Sequence, residues 1–264
     1  MGDEVGLDHA FLQYIGVTPE GQRQIQRFYL PFFQRCRRVV DLGCGEGDFV
    51  AMLVEQGIAA IGVDRDPESC AGARSRGLDV ICQDVFTYLE GLPQESIDGI
   101  FSAHLVEHLH YEEVLRLLRL AHRALKPGGC IVLTTPNVCG LFAHLEMFYL
   151  HFGHVSFYHP RLLCFFLEYT GFRAPEMGEN PQSPSLCWKD LRPPAISYQR
   201  RLPTRYGGLW GALVGRVKGF LAELIVWPYL DQLVPQVNAG LSQIVEAMAQ
   251  VDRPFEAYVM ARKG

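Results

Sequence analysis

Apolar runs and helical stretches alternate along the first half of the chain. Val39-Val40-Asp41-Leu42, Ile61-Gly62-Val63-Asp64, Val80-Ile81-Cys82, Ile97-Asp98-Gly99-Ile100-Phe101 and Cys130-Ile131-Val132-Leu133 are nearly continuous in apolar residues, as strands buried on both faces are. Between them the period lengthens. Helices are predicted at 48–56, 67–76 and 111–125, the last with Val114, Leu117, Leu118, Ala121 and Leu125 on one face. Pro127-Gly128-Gly129 ends that helix. Strands alternating with helices predict an α/β fold with a mostly parallel sheet covered on both faces.

The flanks are read differently. Thr18-Pro19-Glu20 is an N-cap followed by Pro at the first helical position, and Ile25, Phe28, Tyr29, Phe32 and Phe33 follow at near-helical spacing. Residues 1–36 are thus an N-terminal helical extension and 37–180 the core. Residues 181–252 are a helical insertion, expected to form a lid over the strand ends, and 253–264 a closing strand. Phe172-Arg173 opens the sixth strand, and the alternating Phe255–Arg262 segment is the last, antiparallel one. Within the insertion, Leu213, Val217, Leu221 and Leu224 make a core-facing helix. Arg216, Lys218 and Glu223 break the 206–234 run, so it is not a membrane span. Its Trp210, Trp227 and Tyr229 give a second reading, peripheral membrane contact.

Chemistry enters at Asp41-Leu42-Gly43-Cys44-Gly45-Glu46-Gly47, where a strand runs into a glycine turn and a helix. Gly43 and Gly45 permit the turn, and Gly45 and Gly47 lack the β-carbon that would hold a ligand off the backbone. Asp64 ends the second strand 19 residues beyond Gly45, the distance at which a carboxylate grips a ribose diol. Asp84 ends the third, placed to accept from an adenine amino group. A dinucleotide fingerprint needs a glycine where Asp48 stands, and Asp41, Glu46 and Asp48 would repel a pyrophosphate.

In these residues, over 37 to 137, the chain resembles class I methyltransferases dependent on S-adenosylmethionine. The resemblance implies a Rossmann-like, seven-stranded, mostly parallel sheet with S-adenosyl-L-methionine as cofactor. It implies Asp41, Gly43, Cys44 and Gly45 around the methionine part, Asp64 and Arg65 at the ribose, and Asp84 and Val85 at the adenine. Ala103 and His104 would line the sulfonium.

Transfer to a hydroxyl needs a group to take its proton. His104, Glu107 and His108 stand at i, i+3 and i+4 and would share one helical face. They are the catalytic candidates, with His108 as base and Glu107 as its orienter or a second base. A Glu-x-x-Glu-His pattern in ubiquinone-type and small-RNA 3′-end methyltransferases binds a divalent ion. Here His104 replaces the first Glu, so no metal is expected; His154 or His159 would complete a softer ligand set. Gly153–Pro160 resembles the segment after strand five in bacterial relatives acting on cell-surface sugars, glycolipids and quinone precursors. That likeness implies His151, His154, Tyr158 and His159 over the acceptor pocket.

A net charge of −5 gives a nucleic-acid partner no support. Locally, seven Lys or Arg between Lys189 and Lys218 face the single acid Asp190, a basic stretch suited to phosphate. Eight cysteines without a CxxC pair read as reduced core residues. No cationic start or apolar run opens the chain, so a cytoplasmic protein is expected. The expected function is O-methylation of a sugar hydroxyl on a surface glycan or glycolipid. The alternatives are a quinone precursor or other small phenol as acceptor, and a non-catalytic cofactor-binding module of a glycan-assembly complex.

Overall fold

A computed structural model describes residues 7–14, 16, 18–140, 150–184, 197, 208–250 and 253–264. The strands are β1 (Arg38–Leu42), β2 (Ala59–Asp64), β3 (Val80–Cys82), β4 (Ile97–Ala103), β5 (Leu125–Pro136), β6 (Phe172–Glu179) and β7 (Glu256–Lys263). They form one sheet in the order β3-β2-β1-β4-β5-β7-β6. β7 runs antiparallel to both neighbours, and β1 to β5 pair in parallel. The order reverses between β1 and β4, which is where open α/β sheets bind ligands, beyond the carboxyl ends of the strands.

Strand residues divide between two cores with period two. Val40, Leu42, Ile100, Ile131 and Leu133 join one cluster with Leu117, Leu118, Ala121 and Leu167. Val39, Phe101, Cys130 and Val132 join the other with Tyr29, Phe33, Phe49 and Leu53. The segment read as an N-terminal extension supplies much of this second core. Its helix runs from Pro19 to Gln26, with Thr18 Oγ1 accepting the Gly21 N–H. A 3-10 helix then spans Arg27–Phe33, its tighter turn accommodating Pro31. Tyr29 and Phe33 are fully buried there.

Helices at Asp48–Glu55, Pro67–Ser75 and Tyr111–Ala124 match the periodic stretches. A short helix at Val85–Gly91, after β3, is an addition to the sequence reading. Asp84 caps it by accepting the Phe86 and Thr87 N–H groups. The segment around Pro127 also differs from the helix end expected there. β5 already begins at Leu125, opposite Ile97, and slips register before Gly99 meets Cys130.

Residues 1–186 with 253–264 form one compact unit and 187–252 another. Within the second, helices run over Gly208–Leu221 and Trp227–Gln250, joined by a π turn at Ala222–Val226. Leu213, Val217, Leu221 and Leu224 are exposed, which corrects the core-facing expectation. Their unit offers one helical run and no opposing layer among its described residues. No described helix is long and apolar enough to cross a membrane. Of the basic stretch, Lys189, Arg192, Arg200, Arg201 and Arg205 lie outside the described residues, as do Cys187 and the Trp210 side chain, while Arg216 and Lys218 are exposed.

Candidate active site

The glycine turn after β1 is held from β2. Gly43 and Cys44 donate their N–H groups to Val63 O at 2.8 and 3.2 Å, and Gly43, Gly45 and Gly47 have φ of 75°, 53° and 77°, a region open mainly to glycine. A β-carbon on Gly45 would meet nothing within 4 Å, so a ligand can approach its backbone. One on Gly47 would stand 3.0 Å from Leu78 Cδ1. Gly47 therefore serves packing, not ligand approach, in contrast to the sequence reading.

Asp64 fastens the turn to β2: Oδ2 accepts the Gly45 N–H at 2.8 Å and Oδ1 the Asp66 N–H at 2.9 Å. Two carboxylate oxygens offer about four acceptor positions, so the diol of a ribose still finds acceptors. Asp41 is 2% exposed. Burial, then the Asp64 charge, pushes its carboxyl well above the usual carboxylate range. The same causes, with Asp41, raise the Cys44 thiol. Arg65 is exposed, Val85 buried and Ala103 half-buried. Asp84 gives Oδ1 to its helix cap, leaving Oδ2 without a described protein donor. The acidic flank is weaker than the sequence suggested, because Arg76 Nη2 pairs with Asp48 Oδ1 at 2.8 Å.

At the end of β4, His104 takes a left-handed conformation (φ 51°). Such a residue marks strain that the surroundings must hold. Its Nδ1 lies 3.0 Å from Glu107 Oε1 and its Nε2 2.8 Å from Glu256 Oε2. With a carboxylate on each nitrogen, both ring N–H groups donate. Burial opposes the charge, but the hydrogen bonds and charges of the two glutamates outweigh it and push His104 up to about 10. Glu107 and Glu256 are themselves buried, which opposes ionisation, yet His104 holds both below the ordinary carboxylate value. Glu107 Oε2 accepts from Thr135 Oγ1 at 3.2 Å, and Glu256 from Thr134 Oγ1, Asn180 Nδ2 and the Tyr29 hydroxyl.

This clamp revises the expected base arrangement. His104 is an imidazolium with both N–H groups committed, so it takes no proton. Glu107 turns to His104 and Thr135 rather than orienting His108. The cause is that no helix runs through these residues: His104 stands in the left-handed conformation before a 3-10 turn that spans only Val106–His108, so the shared i, i+3, i+4 face does not form. His108 instead meets His151 and His154, ring centroids 4.9 Å away in each case. Tyr158 is buried and donates to Leu109 O at 2.8 Å, and His159 caps the helix Pro160–Tyr169. Neither joins the group that sequence placed over the acceptor.

Glu256, Tyr29, Thr134 and Asn180 were not foreseen as site residues. The signal for Glu256 is an acid sharing its strand face with Tyr258 and Met260, which pack in the second core. The turn bearing His104, Glu107 and His108 adjoins the glycine turn, since a β-carbon on Gly43 would come 3.6 Å from Leu105 Cδ1.

A family model described as a methyltransferase domain matches residues 19–175. The trans-aconitate 2-methyltransferase of Rhizobium rhizogenes is 34% identical over 119 residues, covering 43% of this chain and 44% of that protein. The ubiquinone biosynthesis O-methyltransferase of Xanthomonas oryzae is 31% identical over 105 residues, covering 38% and 43%. The chain thus spans under half the length of these relatives. A solved S-adenosylmethionine-dependent methyltransferase from Archaeoglobus fulgidus is 25% identical, with a TM-score of 0.70 over 97% of this chain and 99% of that one.

Proposed function

The chain belongs to the methyltransferase domain family, whose cofactor is S-adenosylmethionine, and on that premise we propose that it transfers the methyl group to an oxygen acceptor. The observation that carries this reading is the convergence of His108, His151 and His154 on a turn adjoining the glycine turn. A neutral hydroxyl must lose its proton as the new bond forms, and imidazoles are the groups suited to take it near neutral pH. A carboxylate acceptor would need no such group.

The cradle fits the cofactor, which when bound supplies an electrophilic methyl on a sulfonium. Asp64 accepts from the ribose hydroxyls, Asp84 Oδ2 from the adenine amino group, and the open face of Gly45 admits the methionine part. His104 with its two glutamates carries a net −1, which tolerates a sulfonium and disfavours an anionic ligand. The clamp positions the turn and takes no part in proton transfer.

For the acceptor we favour a sugar hydroxyl of a glycan or glycolipid, on the likeness of Gly153–Pro160 to the glycan-modifying branch. The basic stretch from Lys189 to Lys218 would meet a phosphate on its carrier. A phenolic quinone precursor is the second reading, favoured by the likeness to the Xanthomonas protein. The test incubates the protein with methyl-labelled cofactor and cell extract separated into glycan, lipid, protein and small-molecule fractions. Label in the glycan or glycolipid fraction supports the first reading and label in quinone precursors the second. Label on carboxyl groups alone, as methyl esters that base removes, would overturn transfer to a hydroxyl.

A further inference from the structure

Three imidazoles converge outside the His104 clamp. His108, His151 and His154 each bring a ring nitrogen within 4.8 Å of the other two, and the His151 and His154 rings stack 4.8 Å apart. Val155 and Ser156 donate their N–H groups to Glu107 O at 2.9 and 3.1 Å. Those two bonds dock the loop of His151 and His154 onto the turn of His108. Gly153 makes room: a β-carbon there would stand 2.8 Å from His108 Nδ1 and 3.2 Å from His151 Cε1. All three histidines are half-buried.

We propose that His108, His151 and His154 form a site for a divalent transition-metal ion of the zinc class, with a fourth position open to an oxygen ligand. Imidazole nitrogen suits Zn2+, Co2+, Ni2+ and Cu2+, while Mg2+ and Ca2+ want oxygen. Glu107 has both oxygens engaged by His104 and Thr135, so among the described residues the ligand set is nitrogen alone. Tetrahedral bonds of about 2.0–2.1 Å to zinc set the nitrogens roughly 3.4 Å apart. Modest ring rotations from the present spacing reach that geometry. Gly153 N–H donates to His151 Nδ1 at 3.0 Å. Coordination through Nδ1 displaces that bond, and coordination through Nε2 moves the ring proton to Nδ1.

An ion with an open position acidifies a bound hydroxyl, and with all three imidazoles ligating it, that acidification takes the place of an imidazole base. That consequence, and only that, rests on the oxygen acceptor proposed above; the binding itself does not. The test titrates metal-free, tag-free protein with Zn2+ by calorimetry and with Co2+ by visible absorption, with Mg2+ as control. The expected result is one equivalent of either transition ion, a four-coordinate Co2+ spectrum and no Mg2+ binding. His151→Ala and His154→Ala should each raise Kd at least tenfold, while His122→Ala, which removes a ring packed on Phe172, leaves it unchanged. His151→Gln and thermal melting guard against loss through misfolding. Failure of the wild type to bind either ion stoichiometrically, or equal binding by the cluster variants, would overturn the site. Stoichiometric binding without methylation of any hydroxyl acceptor would sink the oxygen reading and leave the metal site standing. Hydroxyl methylation indifferent to chelator, with no ion bound, would sink the metal site alone.

Discussion

His104 and Glu256 are 152 positions apart in sequence, and Nε2 of one lies 2.8 Å from Oε2 of the other. The contact ties the carboxyl end of β4 to the start of β7 across the end of β5. Removing the carboxylate leaves His104, Thr134, Asn180 and Tyr29 without their shared acceptor. Glu256→Ala is expected to cost about 3–5 kcal/mol, as for a broken buried ion pair, and Glu256→Gln less, because it retains an acceptor. Urea unfolding of the two variants checks this. A loss within experimental error of zero for the alanine variant would show that the clamp adds nothing to stability.

The same clamp sets a pH dependence. His104 is raised from 6.5 to about 10 in the folded protein. Its contribution is therefore full below about 6.5 and is lost as pH rises through about 10. Glu107 and Glu256 are held below 4.5, so their contributions are full above that value and drain as pH falls through the depressed ones. Unfolding midpoints at pH 6, 8 and 10 should decline for the wild type more steeply than for His104→Gln. Parallel declines would contradict a charged His104.

Asp64→Ala should weaken binding of S-adenosylmethionine and its demethylated product by about 1.5–3 kcal/mol, typical of hydrogen bonds to a charged group. Part of that loss comes through the Gly45 N–H, which Asp64 also holds. Calorimetry reads it, and an unchanged affinity would remove Asp64 from the cofactor site.

His108→Ala should lower turnover on the order of 10²–10⁴-fold while cofactor affinity stays near the wild-type value, since the acceptor proton matters only in the transition state. A matching loss of cofactor binding would mean that His108 shapes the turn instead.

For the acceptor, replacing Arg200 and Arg201 by Glu should raise its Michaelis constant in a salt-dependent way, with cofactor affinity unchanged. Full efficiency on a neutral sugar or phenol, insensitive to the double variant and to ionic strength, would refute a phosphate-bearing carrier.

The elements that sequence revealed are those dictated by local chemistry. Val39–Leu42 and Ile61–Asp64 are apolar on both faces because the sheet is covered twice, and the glycine turn follows from a backbone that only glycine adopts. Gly45, with φ 53°, falls in that class. The His104 pairings were hidden for a different reason: one partner comes from a strand at the far end of the chain, and the face that His108 presents depends on a 3-10 turn whose period sequence does not announce. His151 and His154 were noticed as a cluster, but their meeting with His108 depends on two backbone bonds to Glu107 O. Sequence alone does not distinguish Asp84 as the cap of the helix at Val85–Gly91 from Asp84 as a ligand group.

The closing strand has a consequence for biosynthesis. Glu256 completes the clamp, and β7 fills the gap between β5 and β6, yet the whole 187–252 unit is synthesised between β6 and β7. A nascent chain therefore carries an unpaired β5 edge, and a His104 without its Glu256 partner, until β7 has been made. During that interval the β4 turn is held through Glu107 and Thr135, without its anchor on β7.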